Sequence, residues 1–348
     1  MSLIASKTLP AAPEPAPAKW FVDLLDAPLP AEGAVVELRG RPFIMRDGVL
    51  RAQDILSAAQ DQTSETFGFK WQKRETFDGE TLKFFQPWLI EKYGDVAAAP
   101  WLFATSETPI LLDAGCGAAL SALGLFGPVL DRMHYLGVDV SPAVDVAKAR
   151  FAERRLPGAF MQVDLNRLPL PDNAVDLIFS EGVLHHTDST RQALAAVVRH
   201  LKPGGRVLFY VYRKKGPIRE FTDDFVRDKL QGMTPEESWA AMIPLSKLGK
   251  VLGDLNMEID IPEKIDLLDI PAGRIDLQRF FYWHVLKAFY RPEMSLDELN
   301  HLNFDWYAPK NAHRHSAEEV RAWCGELGLA IEHERIEAPG ITVIARKA

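Results

Sequence analysis

The chain has 348 residues, 47% of them hydrophobic, and a formal net charge of −8 at pH 7. This length and apolar content suffice for one large core with a sizeable appendage. The acidic balance excludes a general attraction to phosphate backbones and argues against a nucleic-acid partner, although a local basic patch stays open.

The cysteines and the N-terminal segment indicate the expected surroundings of the protein. Cys116 and Cys324 are too few and too far apart for a disulfide framework or a zinc ribbon. Residues 1–20 are rich in alanine and proline and lack the pattern of a secretory signal, so we predict a flexible tail. No apolar run approaches the ~20 residues that span a bilayer, and we expect a cytoplasmic protein without membrane contact.

Residues 21–107 form a predicted N-terminal extension that ends in an aromatic helical segment. An alternating apolar run covers residues 33–40, and a turn is predicted at residues 46–48. The stretch 67–94 is rich in aromatic residues and is predicted to be helical in its second half. Most of these aromatic side chains are expected to belong to the core.

From residue 108 onward, predicted strands and helices alternate regularly. Strands are predicted at 110–113, 134–140, 159–164, 175–180 and 206–212, and helices at 118–130, 142–155 and 189–201, with a turn at 202–205. Such alternation predicts parallel βαβ units in a doubly wound α/β sheet. We therefore assign residues 108–213 to the core of the fold.

The alternation stops over residues 214–315 and then resumes. This segment is predicted to be mostly helical and rich in aromatic residues, and we expect it to form a cap over the substrate. The basic run at 213–215 is typical of a solvated face. A helix at 316–329 begins with a capping-box pattern, and two antiparallel strands at 330–336 and 341–346 complete the core, which we extend over residues 316–348.

The turn at residues 113–117, DAGCG, ends the first core strand and opens a helix. Its glycines let backbone N–H groups approach a ligand, and the helix start offers a positive dipole end. Asp139 ends the second strand 22 residues after Gly117, where a carboxylate can accept hydrogen bonds from both hydroxyls of a ribose. Asp164 ends the third strand at the same edge and can accept a hydrogen bond from an exocyclic amine. The pattern indicates a nucleotide-like ligand.

Histidines supply the candidate proton carriers. His185 and His186 follow the fourth strand and can bind substrate or move a proton, although one of the two can equally be packed against backbone. His313 and His315 precede the last helix. Adjacent side chains rarely both reach one metal, and no third ligand at useful spacing accompanies His313 and His315, so we predict no metal site.

The segments LLDAGCG, LGVDVS, MQVDLNRLPLPDNAVDLIFSEGVLHH and LKPGGRVLFYV resemble, in this order and spacing, the class I S-adenosylmethionine-dependent methyltransferases. The resemblance implies a seven-stranded, mostly parallel sheet of order 3-2-1-4-5-7-6 with strand 7 antiparallel. The flanking segments resemble a subgroup with an N-terminal extension and a long helical insertion after strand 5. Ala119 replaces a glycine that is common in the family, and we expect the change to be tolerated. Leu120 stands where a dinucleotide fingerprint needs a small residue.

The resemblance also implies S-adenosylmethionine as cofactor and S-adenosylhomocysteine as product. Gly115 and Gly117 would cradle the amino-acid part, Asp139 would hold the ribose, and Asp164 with Leu165 would meet the adenine. The predicted cofactor site further includes Trp71, Asp113, Cys116, Val140, Ser180 and Glu181. The candidate catalytic residues are His185, His186, Tyr307 and His313, with Asp305, Trp306 and His315 as further candidates for substrate contact.

We therefore predict a methyltransferase that acts by in-line displacement on a small-molecule acceptor. Two alternatives stay open: an RNA or protein methyltransferase, and a cofactor-binding regulator without catalysis. The sequence leaves open the methyl acceptor, the need for a general base, the role of residues 21–66 and the oligomeric state, for which a homodimer is one candidate.

Overall fold

The computed structural model describes residues 19–78 and 80–348. The strands are β1 Val35–Leu38, β2 Arg41–Arg46, β3 Val49–Ala52, β4 Ile110–Ala114, β5 His134–Asp139, β6 Ala159–Gln162, β7 Val175–Glu181, β8 Leu201–Tyr212, β9 Glu258–Ile261, β10 Gly273–Asp276, β11 Leu329–Ile336 and β12 Gly340–Lys347. The α-helices are α1 Lys19–Leu25, α2 Ala58–Gln72, α3 Glu80–Tyr93, α4 Leu120–Phe126, α5 Ala143–Glu153, α6 Thr190–Val198, α7 Pro217–Leu230, α8 Pro235–Asp254, α9 Leu277–His284, α10 Leu296–Tyr307 and α11 Ala317–Glu326.

A ten-stranded sheet of order β1-β2-β3-β6-β5-β4-β7-β8-β12-β11 organises the molecule. Its centre from β6 to β8 is parallel, and β12 pairs antiparallel with both β8 and β11. The predicted α/β class with a mostly parallel sheet is confirmed. The predicted count of seven strands is wrong, because three N-terminal strands extend the sheet beyond β6.

Two tight hairpins build this extension. Arg39 and Gly40 connect β1 to β2, and Asp47 and Gly48 connect β2 to β3; all four residues have positive φ, between 49° and 75°. Two-residue turns of this kind match the right-handed twist of paired strands. β3 then pairs parallel with β6, through Leu50 opposite Met161, and covers what would otherwise be an open edge. Residues 35–52 therefore belong to the same sheet as the core.

Side chains from opposite faces of the sheet form two hydrophobic clusters. Leu111 and Leu177 pack with α3, α4 and α5, whereas their neighbours Leu112 and Ile178 pack with α1, α6 and α11. This alternation follows from the two-residue period of a β-strand. The helices on both faces leave the carboxyl ends of the central strands free to bind a ligand.

The boundaries that differ from the sequence-based expectation include those of β8 and α1. The predicted turn at 202–205 is part of β8: the pairing with β7 passes from Leu201 directly to Arg206, and the four residues between them bulge outward. α1 includes Lys19 and Trp20, which were assigned to the tail. The rest of that predicted tail, residues 1–18, lies outside the described residues.

The insertion, residues 214–315, contains α7 to α10 and an antiparallel hairpin of β9 and β10. The hairpin was not anticipated by the helical prediction. The Ser246 hydroxyl donates to Asn300 Oδ1 at 2.7 Å and accepts from Asn303 Nδ2 at 2.9 Å, which joins α8 to α10. The backbone N–H of His313 donates to the carbonyl of His185 at 2.9 Å, so the end of the insertion lies against the loop after β7. No helix within the described ranges is long and apolar enough to cross a membrane.

Candidate active site

A cavity of about 570 Å³ lies at the carboxyl ends of the central strands, a volume typical of cofactor and small-molecule sites. The loops after β4, β5, β6 and β7 form one wall, and α2, α3 and the insertion form the other. The predicted site residues that line it are Trp71, Gly115, Cys116, Gly117, Asp139, Val140, Asp164, Leu165, Glu181 and His186. The remaining predicted site residues, Asp113, Ser180, His185, Tyr307 and His313, are placed elsewhere.

The glycine turn leaves no room for side chains. Gly115 has φ +86°, and a Cβ atom there would lie 2.2 Å from a methyl group of Val183. Gly117 has φ +49°, and its Cβ would lie 2.9 Å from the indole nitrogen of Trp71. Both the backbone conformation and the close neighbours therefore require glycine. Trp71 lies directly against this turn and faces the same cavity.

Asp139 holds the glycine turn and the next helix in register. Its Oδ2 accepts from the backbone N–H of Gly117 at 2.8 Å, and its Oδ1 accepts from the N–H and the hydroxyl of Ser141 at 2.8 and 2.6 Å. Burial raises the pKa of Asp139, and these three hydrogen bonds oppose that rise. A carboxylate has about four acceptor sites, so capacity for a ligand hydrogen bond remains.

Two further carboxylates complete this wall. Asp164 Oδ1 accepts from the backbone and side-chain nitrogens of Asn166 at 2.9 and 3.0 Å, which shapes the turn after β6. Glu181 accepts from the Tyr93 hydroxyl at 2.5 Å and pairs with the ammonium of Lys92. Burial lowers the pKa of Lys92 to about 8, against the pull of Glu181. Glu181 is thus already engaged inside the protein.

Asp113 and Ser180 support the turn from below and do not line the cavity, which corrects the expectation of direct cofactor contact. The Tyr135 hydroxyl donates to Asp113 Oδ2 at 2.6 Å, and burial raises the pKa of Asp113 to about 7. The Ser180 hydroxyl donates to the carbonyl of Ala114 at 2.8 Å. Both side chains therefore fix the ends of β4 and β7.

Three candidate catalytic residues also differ from expectation, because internal contacts hold them away from the cavity. The ring of His185 is fully buried, with its centroid 3.7 Å from that of Tyr212. The Tyr307 hydroxyl donates to Asp223 at 2.7 Å and accepts from the backbone N–H of Lys287 at 2.7 Å. His313 Nε2 lies 3.0 Å from the carbonyl of Thr187.

His186 remains at the cavity in a defined protonation state. Its Nδ1 lies 2.6 Å from the carbonyl of Asn311, and because a carbonyl only accepts, Nδ1 carries the proton. Nε2 is therefore an acceptor, and no residue in the described part of the chain bonds to it. Burial lowers the pKa of His186 to about 4, so the ring is neutral at pH 7.

The insertion wall contains cations that sequence reasoning missed. The basic run 213–215 has the pattern of a solvated face, but Lys215 lines the cavity, and its Nζ donates to three backbone carbonyls. Arg219 forms a buried ion pair with Asp223 at 2.9 Å. Their spacing of four residues on α7 was the visible signal, although such pairs are commonest on exposed helix faces.

Asp305, a candidate for substrate contact, also lines the cavity. It pairs with Lys70 Nζ at 2.5 Å. Burial opposes its ionisation, but Lys70 and Lys287 hold the pKa of Asp305 well below its usual range. Within residues 19–78 and 80–348, no group of three or more His, Cys, Asp or Glu side chains is placed to hold a metal ion.

Comparisons with known proteins find similarity to methyltransferases. Residues 112–209 match the family described as "Methyltransferase domain". The uncharacterized methyltransferase YcgJ of Bacillus subtilis (strain 168) is 32% identical over 172 residues, which cover 47% of this chain and 67% of that protein. A solved S-adenosylmethionine-dependent methyltransferase from Aquifex aeolicus aligns over 80% of this chain and 98% of its own, with 15% identity and a TM-score of 0.43.

A mammalian relative shares a shorter region. The protein of Bos taurus named "Probable tRNA methyltransferase 9B" is 30% identical over 139 residues, 37% of this chain and 28% of that protein. The match thus spans little more than a quarter of that relative. The matched domain, the glycine turn and the extent of the similarity to YcgJ lead to one conclusion: the chain belongs to the class I S-adenosylmethionine-dependent methyltransferases.

Proposed function

We propose that this chain transfers a methyl group from S-adenosylmethionine to a small-molecule acceptor. The observation that carries the proposal is that one cavity joins the glycine turn after β4 to the aromatic and cationic wall of the insertion. Two reactants held in one cavity as a near-attack pair avoid an entropic cost of about 7–11 kcal/mol.

The residues on the loops after β4, β5 and β6, which include the glycine turn, fit the cofactor. Gly115 and Gly117 keep the turn free of side chains, so that its backbone can approach a ligand closely. Asp139 has acceptor capacity left for a ribose hydroxyl, and Asp164 with Leu165 lines the same wall for the adenine. When bound there, S-adenosylmethionine supplies a methyl group activated by its sulfonium.

His186 is suited to orient the acceptor. Its Nε2 is a neutral acceptor that is buried and has no partner among the described residues. When binding of the methyl acceptor exposes this atom, it can receive a hydrogen bond from the hydroxyl or amine that becomes methylated. This hydrogen bond would aim the nucleophile. Because burial lowers the pKa of His186 to about 4, the ring is a weak base, and we expect it to act mainly by positioning.

The donor half of the proposal is tested by calorimetric titration with S-adenosylmethionine and S-adenosylhomocysteine. We compare the wild type with Asp139→Ala and with Asp131→Ala, which removes an exposed carboxylate before the opposite end of β5. Saturable binding that only Asp139→Ala weakens supports the donor site. If a folded wild type binds neither compound, the donor site is rejected.

The acceptor half is tested with S-adenosylmethionine carrying a labelled methyl group. The protein is incubated with metabolite extract, with bulk RNA and with unfolded protein in separate reactions. Label in the small-molecule fraction supports the proposal. Label in RNA, the substrate class named for the bovine relative, would replace it.

A further inference from the structure

Six cationic side chains line the cavity, one from α2 and five from the insertion wall: Lys70, and then Lys215, Arg219, Arg279, Lys287 and Arg291. Asp305 pairs with Lys70, and Asp223 pairs with Arg219. Among the described residues, the other four cations form no ion pair with a carboxylate. The whole chain carries a net charge of −8, so this wall is opposite in sign to the protein as a whole.

Three of these cations surround one indole ring. Lys215 Nζ, Arg219 Cζ and Lys287 Nζ lie 5.6, 5.5 and 5.0 Å from the ring centroid of Trp306. The ring itself is held by the hydrogen bond from its Nε1 to Asp223 Oδ2, at 2.8 Å. Cation–π attraction offsets part of the repulsion among the three charges. The start of α7 and the segment after α9 thus bring three positive charges to one point.

The three cations are held in different ways. Lys215 Nζ donates to the carbonyls of Arg213, Ala338 and Pro339, at 2.9, 2.6 and 2.8 Å. Three acceptors use all three N–H bonds of an ammonium, so Lys215 contributes charge and no free donor. Arg219 Nε donates to both oxygens of Asp223, at 3.0 and 2.9 Å, and another guanidinium nitrogen donates to the carbonyl of Tyr282.

Lys287 is the least satisfied of the three. Its side chain is buried, and its Nζ contacts the face of Trp306. Burial lowers the pKa of Lys287 to about 8, against the pull of Asp305 and Asp223 and with the added repulsion of Arg219 and Lys70. A buried ammonium without a bonded anion is costly, and a ligand anion would remove that cost.

We propose that Lys287 and Arg219, with Lys215 adding charge, bind an oxyanion of the methyl acceptor beside Trp306. The oxyanion is a carboxylate or a phosphate, the two groups that match ammonium and guanidinium donors. Tyr282, Trp283 and Phe289 line the same wall, so the body attached to the anion is apolar or aromatic. This inference rests on the proposed function, because it places the acceptor in the insertion half of the donor cavity.

The test uses protein saturated with S-adenosylhomocysteine and three small probes: benzoate, phenyl phosphate and neutral benzamide. Binding is measured by calorimetry for the wild type, Lys287→Gln and Lys247→Gln. Lys247 is exposed on α8 of the same insertion, so its variant makes the same change of charge away from the cavity. Thermal unfolding of each variant shows that it is folded.

We expect at least one anionic probe to bind ten-fold or more tightly than benzamide. Lys287→Gln should weaken that probe about ten-fold and leave benzamide unchanged, while Lys247→Gln should match the wild type. The anionic probe that binds with the higher affinity shows whether the oxyanion is a carboxylate or a phosphate. Equal binding of charged and neutral probes, no binding of either anion, or equal effects of the two variants overturns the inference. Binding of S-adenosylhomocysteine is measured first, so a failure of the donor site is seen separately.

Discussion

The carboxylate of Asp139 and the backbone of Gly117 are joined by a hydrogen bond of 2.8 Å, from the Gly117 N–H to Oδ2. These residues lie 22 positions apart, at the ends of neighbouring parallel strands. The bond couples the turn proposed to hold the amino-acid part of the cofactor to the residue proposed to hold its ribose. One side chain thus shapes both parts of the proposed donor site.

Replacing Asp139 with alanine should weaken S-adenosylhomocysteine binding. A hydrogen bond to a charged group contributes about 1.5–3 kcal/mol, which corresponds to a roughly 10- to 100-fold loss of affinity. Titration calorimetry measures the effect, with Asp131→Ala as the control. An unchanged dissociation constant in a folded Asp139→Ala protein would contradict the assigned role.

Replacing Gly115 with alanine should destabilise the fold. The positive φ costs about 1–2 kcal/mol for a residue with a Cβ, and crowding against Val183 adds about 1–3 kcal/mol. Gly127→Ala is the control, because that glycine has φ −41° and a Cβ atom added there would meet no other atom within 4 Å. Urea unfolding should show a loss for Gly115→Ala and little change for Gly127→Ala. Similar urea midpoints for the two variants would mean that the turn at Gly115 has room for a side chain.

His186 should make the protein less stable in mild acid. The unfolded side chain binds a proton near pH 6.5, whereas burial lowers the folded pKa to about 4. The unfolded state therefore holds more protons between these values, and stability falls as the pH falls through that window. The full contribution is about 3 kcal/mol, from about 1.4 kcal/mol for each pH unit.

The measurement compares the free energy of unfolding of the wild type and His186→Gln from pH 7.5 to pH 4.5. The pKa of Asp113 is raised to about 7, so this carboxyl group makes the fold more stable as the pH falls, in a range that overlaps that of His186. Both proteins contain Asp113, so the difference between their free energies of unfolding removes its contribution. The difference should be constant above pH 7 and should shift in favour of the variant below pH 6.5. A constant difference across the whole range would refute the assignment.

Asp223 should be essential for the stability of the insertion. It accepts hydrogen bonds from Arg219, from Trp306 Nε1 at 2.8 Å and from the Tyr307 hydroxyl at 2.7 Å. Removal of one partner of a buried ion pair costs about 3–5 kcal/mol, because the other charge is left uncompensated. We expect that loss for Asp223→Ala in urea unfolding. Asp228→Ala, an exposed position on the same helix, should change little, and equal effects would show that the pair is unimportant.

Local sequence patterns predicted those parts of the site that are built from residues close together in the chain. The glycine turn and the acidic residues at the strand ends were visible because they need particular residue types at set distances from a strand. The predicted residues at the end of β5 and in the turn after β6 line the cavity, as do the three turn residues Gly115, Cys116 and Gly117.

The misplaced residues share a physical reason. A polar residue near the end of a strand or helix can point toward the ligand or back into the fold, and the available partner decides the direction. Asp113 turns to Tyr135, and Tyr307 turns to Asp223. Both partners lie on other elements of the fold. The chain pattern therefore identified polar residues near the site without showing which of them face it.

The sequence by itself determined the βαβ core, the antiparallel closing strands and the position of the glycine turn that we propose as the donor site, because each rests on periodicity or on short-range backbone requirements. Only the tertiary structure decided that β3 extends the sheet at β6, and that Lys215, Arg219 and Lys287 meet around Trp306. These contacts join segments far apart in the chain. Their formation depends on packing and on the burial of charge, for which a linear pattern carries no signal.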